Sequence, residues 1–305
     1  MSDMQDIIES ARRAATACAG REPRAMAKVL ADAGLIGVLA SEAAGGLGLP
    51  LSAAAAVLAA TEAQLLGFPL LESMLAARVL PEALAAEVVG GDKLVTIAWG
   101  GDASHGSVTR AHGAAGADLL LCADGAAGRC LTLAGAEVTE EPDLDLERPS
   151  FRVKVAGGEP IAPAAWAALL ADAQLLRAAE CLGAAETSME AAIAHISGRK
   201  QFGKVLVGMQ ALRFDLARHK LALESARVTL NKALVQQGDS HAALVARTTV
   251  GEAAPFIIEG AIQLHGGMGF TWDVPLHRRL RRVRNACAQL DVFGARQALM
   301  AELLA

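Results

Sequence analysis

Gln263–Phe270 reads QLHGGMGF and sets three glycines into a region whose flanks carry the apolar period of long helices. Glycine has no Cβ and tolerates positive φ, so the stretch either caps a helix and turns or lets backbone approach a ligand closely. A second interruption lies upstream, where Gly198–Leu206 reads GRKQFGKVL. It gathers cationic and polar donors beside an aromatic residue and a glycine, a set suited to a flat, phosphate-bearing ligand. Taken alone, each stretch reads equally well as an ordinary loop.

Around these breaks the chain falls into three zones. Apolar positions recur at helical spacing through residues 1–92, as in Met26, Val29, Leu30 and Ala33, with a glycine-rich interruption at AGGLGLP. Residues 93–162 change texture to short β-type runs, LVTIAW, ADLLLCA, RCLTLAG and SFRVKVA. The helical period returns over 163–305 in segments long and apolar enough to form a bundle. The expected fold is mainly α with a small β module: an N-terminal helical domain, a reduced β domain and a C-terminal four-helix bundle.

Composition narrows the function classes. The 305 residues are 53% hydrophobic, ample for a sizeable core, and the formal net charge of −5 gives no reason to expect nucleic acid or an anionic membrane as partner. The five cysteines are odd in number and never spaced C-x-x-C, which indicates neither a disulfide framework nor a zinc site. The histidines show no H-x-x-x-H spacing, so no metal is expected. MSDMQDIIESARRAATACAG lacks a signal-peptide pattern, and no apolar run reaches spanning length without Gly, Pro or charge, so the expected location is cytoplasmic.

The two glycine-containing stretches, in this order and followed by a basic segment, resemble the acyl-CoA dehydrogenase family. That family's C-terminal helical domain carries an R-x-x-F-G loop, a glutamine in the next helix and a Q-x-x-G-G-x-G turn. Here they are matched by Arg199–Gly203, by Gln210 and by Gln263–Gly269. AGLIGVLASEAAGGLGLPL also resembles the family's PE-x-x-GG-x-G stretch, with Ser41-Glu42 where Pro-Glu is usual. The resemblance implies FAD as cofactor and α,β-dehydrogenation of an acyl-CoA thioester, with an electron-transfer flavoprotein as acceptor. It implies that Arg199 pairs with the FAD pyrophosphate and that Gln201 and Phe202 line the same path. Gln210 with Gln263, Leu264, His265, Gly266 and Gly267 would hold the adenosine half, on an FAD carried by a neighbouring chain.

Two departures from the family pattern bear on activity. The T-E-P-x-A-G-S-D loop of the β domain is missing; GGDASHGSVTRAHGAAG stands after LVTIAW and reads as a solvated turn. The family's catalytic base is a glutamate, because a carboxylate must take the proton from the α carbon. Counting within the motifs puts its two alternative positions at Leu290, next to Asp291, and at Ala173, beside Asp172. Asp291 is the remaining candidate base, with a helix N-cap as the competing reading. The basic run Arg278–Arg284 reads as a source of intersubunit salt bridges. Together these features point to the shortened subunit of a heteromeric acyl-CoA dehydrogenase, whose longer partner supplies the base. A self-sufficient homo-oligomeric dehydrogenase using Asp291 and a degenerate non-enzymatic scaffold subunit are the alternatives.

Overall fold

The computed structural model describes residues 2–201 and 203–304. Five helices come first: α1 (Ser2–Ala17), α2 (Pro23–Asp32), α3 (Leu51–Thr61), α4 (Leu70–Val79) and α5 (Glu82–Val89). Seven strands follow: β1 (Val95–Asp102), β2 (Ser107–Ala111), β3 (Leu119–Asp124), β4 (Ala127–Thr132), β5 (Val138–Glu141), β6 (Ser150–Lys154) and β7 (Glu159–Ile161). The 36-residue α6 (Pro163–Gly198) returns the chain to helix. A two-stranded hairpin, β8 (Lys200–Gln201) and β9 (Lys204–Val205), precedes α7 (Gln210–Val235), α8 (Ser240–His265), α9 (Leu276–Gln289) and α10 (Val292–Leu304). This is the mainly helical architecture with a small sheet that the sequence predicts.

The chain divides into two compact units, residues 1–176 and 177–305. In the first, α3 and α4 are apolar nearly all round, and Leu58, Leu70, Leu71 and Met74 are fully buried. Such helices have no solvent face and form the centre of a helical layer. Ser41 caps the short turn Glu42–Ala44, its Oγ accepting from the Ala44 N–H, which explains how serine serves where proline is usual.

The sheet in the first unit has the order β5-β6-β2-β1-β3-β4-β7, with β1 and β3 parallel and every other pair antiparallel. One face buries Ala98, Val108, Leu120, Leu131 and Val153 together. The runs read from the sequence correspond to β1, β3, β4 and β6. Strands β2, β5 and β7 are short and carry polar or charged residues, so hydrophobic pattern alone does not reveal them. The segment expected to be a solvated turn is one only at Asp102–Gly106, where the Asp102 carboxylate accepts from Ser104 and from the Gly125 N–H; Ser107 then starts β2.

In the second unit α7 and α8 pack along one another. Leu223, Ala226, Leu230 and Ala233 recur at helical spacing on the buried face of α7, and Val250, Ala254, Ile257, Ile258, Ala261 and Ile262 do so on α8. Asp239 starts α8 by accepting from the Ala242 N–H at 3.1 Å. Within the basic run, Arg279 and Arg282 are buried in this chain, and Arg284 pairs with Glu259 on α8. The two buried arginines therefore serve the fold of the chain itself, since buried guanidinium groups need partners close at hand. Among the described residues, no helix is long and apolar enough to cross a membrane and no cluster of ligating side chains could hold a metal ion.

Candidate functional site

The arginine stretch forms a hairpin at the end of α6. The Arg199 N–H donates to the His195 carbonyl at 3.2 Å, and the Leu206 N–H donates to the Arg199 carbonyl at 2.9 Å, closing the hairpin base. Lys200 pairs with Val205 and Gln201 with Lys204 across it. Arg199 and Gln201 are exposed, and the Arg199 guanidinium makes no ion pair or hydrogen bond among the described residues. Phe202, expected on the same path, lies outside the described residues.

The glycine stretch ends α8 and winds into a tighter turn. Gly266 has φ +62°, a left-handed conformation that stops the helix at little cost only for glycine. Residues Gly266–Phe270 then form a 3-10 turn. A Cβ on Gly269 would stand 2.6 Å from the Ile262 carbonyl oxygen, so this position admits no side chain without moving the backbone. Gln263, Gly266 and Gly267 are exposed, Leu264 is half-buried and His265 is buried.

The fold makes a contact between the end of α6 and the end of α8 that sequence reasoning missed. The rings of His195 on α6 and His265 at the end of α8 are stacked, with centroids 4.4 Å apart and planes 21° from parallel. The signal in the sequence was slight: His195 sits one helical turn before Arg199, but nothing local says what lies against it. Gln210 is the first residue of α7 and is exposed. The exposed polar set on this unit is therefore one guanidinium, the amides of Gln201, Gln210 and Gln263, and a turn whose glycines leave its backbone open. It is a donor-rich surface suited to phosphate and to a planar heterocycle.

The candidate base positions are occupied otherwise. Leu290 and Ala173 are both buried. Asp291 is exposed at φ +46° and caps α10, its Oδ1 accepting from the Gly294 N–H at 3.2 Å and its carbonyl from the Ala295 N–H at 2.9 Å. Asp172 forms an ion pair with Arg78 in the first unit; burial pushes its carboxyl up, and the Arg78 charge opposes that shift. Among the described residues neither aspartate stands free of a structural role.

Comparison with known proteins points to one family. A family profile for the acyl-CoA dehydrogenase C-terminal domain matches residues 164–286. Acyl-CoA dehydrogenase IpdE2 of Mycolicibacterium smegmatis is 29% identical over 295 residues, covering 92% of this chain and 88% of that protein. The mitochondrial short-chain specific acyl-CoA dehydrogenase of Homo sapiens is 35% identical over 111 residues only, 35% of this chain and 27% of that protein. Among solved structures, the ChsE4-ChsE5 complex from Mycobacterium tuberculosis superposes with a TM-score of 0.85 at 23% identity, covering 100% of this chain and 98% of that one. A glutaryl-CoA dehydrogenase from Mycobacterium smegmatis in complex with FADH2 gives 0.84 at 16%, covering 100% and 95%. Helices, a small sheet and further helices arranged in this way are the acyl-CoA dehydrogenase fold. Residues 164–286 thus match the acyl-CoA dehydrogenase C-terminal domain, and the chain along most of its length is similar to acyl-CoA dehydrogenases. The acyl-CoA dehydrogenases among these relatives are oxidoreductases that act on CH–CH bonds.

Proposed function

We propose that this chain is the shortened, FAD-contacting subunit of a heteromeric acyl-CoA dehydrogenase. The observation that carries the reading is a combination within one chain. Arg199, Gln210, Gln263, Gly266 and Gly267, suited to the pyrophosphate and adenosine of FAD, are exposed, while the positions where the base belongs hold buried Leu290 and Ala173.

When bound, FAD supplies the hydride acceptor for desaturation of the acyl-CoA. This chain contributes binding. Arg199 offers a guanidinium fork to the pyrophosphate, and it has no partner among the described residues to give up in doing so. Gln210 and Gln263 donate to the adenosine half, and Gly266 and Gly267 let the turn approach it. Removal of the α proton needs a carboxylate within reach, and Asp291 is already used to cap α10, so the base is assigned to a longer acyl-CoA dehydrogenase-like subunit. An electron-transfer flavoprotein would be the acceptor that reoxidises the bound cofactor.

The surface of the second unit supports the need for a partner. Phe214, Leu221, Val228 and Val235 lie exposed on α7 at seven-residue spacing, one large apolar side chain every two turns. Phe270, Trp272 and Phe293 are exposed on the same unit. Apolar surface of this extent marks an interaction face. The solved relative described as a ChsE4-ChsE5 complex is an assembly of two chains, which supports an unlike pair as one form such a protein takes.

The test is the visible absorption spectrum of the chain purified alone and after co-expression with the nearest acyl-CoA dehydrogenase-like gene. The expected result is flavin only in the co-purified sample, at about half an FAD per chain. A full complement of flavin and turnover in the chain alone would replace this reading with the homo-oligomeric one.

A further inference from the structure

His265 is fixed by its own helix. Its Nδ1 lies 2.8 Å from the Ala261 carbonyl, which can only accept, so Nδ1 carries the proton and the ring plane is set from α8. The residue is 8% exposed. His195 is held differently: its Nε2 is buried and has no hydrogen-bond partner among the described residues. The stack on His265 is therefore what orients the His195 ring. Arg199 follows one turn later, tied to the His195 carbonyl through its own N–H. The hairpin that carries the guanidinium thus leaves α6 from a point pinned to the last turn of α8, one residue before Gly266.

We propose that His195 is a positioning residue of the flavin site: through its stack on His265 it sets the Arg199 hairpin against the Gln263–Gly267 turn, so that both address the same dinucleotide. The inference rests on the FAD-contact reading of these two loops. Burial, and then the neighbouring His265 and Arg199, hold the pKa of His195 below the ordinary histidine value. His195 accordingly enters the stack uncharged near neutral pH. An uncharged ring stacks without adding a second cation beside Arg199, which leaves the guanidinium as the charge presented to phosphate.

The experiment is FAD titration into the deflavinated complex of this chain with its co-expressed partner, followed by flavin fluorescence. His195→Ala is expected to weaken FAD binding about tenfold, and His195→Phe, which keeps a stacking ring, to restore it to within about twofold. Because His195 acts through Arg199, the same change in an Arg199→Ala background is expected to add less than about twofold. Failure of phenylalanine to rescue, or an equal loss in both backgrounds, overturns the proposal. If His195→Ala does not yield folded complex, His195→Gln makes the same comparison, with retained affinity overturning it. Unchanged affinity in Arg199→Ala overturns the flavin reading of the hairpin and the role of His195 together, whereas a loss there without one in His195→Ala overturns only the latter.

Discussion

Arg148 reaches back across 86 residues of sequence to Glu62, its Nη2 donating to Oε1 at 3.3 Å, and the two side chains are 5% and 0% exposed. The Arg148 Nε also donates to the Leu66 carbonyl at 3.1 Å. A charge this deeply buried is tolerable only while its partner is present. Glu62→Gln is therefore expected to destabilise the chain by about 3–5 kcal/mol, read as a lower urea midpoint. Joint replacement of both residues by apolar side chains should cost less than the single change, because no uncompensated charge remains.

Gly260 lies under the ring of His219, where α7 crosses α8, and a Cβ there would overlap that ring. His219 is buried and also meets Phe256 edge-on, with centroids 4.6 Å apart, which limits its room to move. Gly260→Ala should lower stability by about 1–3 kcal/mol despite the better helix propensity of alanine. A thermal midpoint at or above that of the parent chain would contradict this packing.

His219 also sets a pH dependence. Burial is the main cause holding its pKa below the ordinary value, with Asp215 opposing and Arg218 adding to the shift. Below the pKa of the unfolded chain, about 6.5, the unfolded state takes up a proton that the folded state does not. Stability contributed by this residue is thus present above about pH 6.5 and falls as the pH drops through that value toward the lower folded pKa. His219→Asn should flatten the fall in the urea midpoint between about pH 7 and pH 5, whatever its effect at pH 7.

Asp291 separates the capping role from a catalytic one. Asparagine accepts the Gly294 N–H equally well and tolerates the left-handed backbone, whereas it cannot take a proton. Asp291→Asn is expected to leave both the thermal midpoint and the turnover of the complex unchanged. Asp291→Ala should cost about 1 kcal/mol through loss of the cap. A turnover loss of about a hundredfold or more in the asparagine variant would make Asp291 the base.

Much of the fold was legible because its signals are local. The apolar period of α7 and α8, the change to β texture after Val95 and the glycine breaks each depend on residues a few positions apart. Strands β2, β5 and β7 were not legible, since they are strands by virtue of their neighbours: β5 offers only VTEE and becomes ordered by pairing with β6. The same holds for the buried arginines of α9, whose run of charge gives no local sign in the sequence that part of it is enclosed within the chain.

By itself the sequence determined which elements form and which chemistry the two interruptions can offer, because backbone conformation and donor type are properties of single residues and their near neighbours. Only the tertiary structure decided that His195, one turn before Arg199, stacks on His265, a ring 70 positions away beside Gly266. It likewise decided that Asp291 caps a helix and that Asp172 belongs to Arg78. Such pairings depend on how distant helices pack, and packing is fixed by the sum of many contacts that no local pattern records.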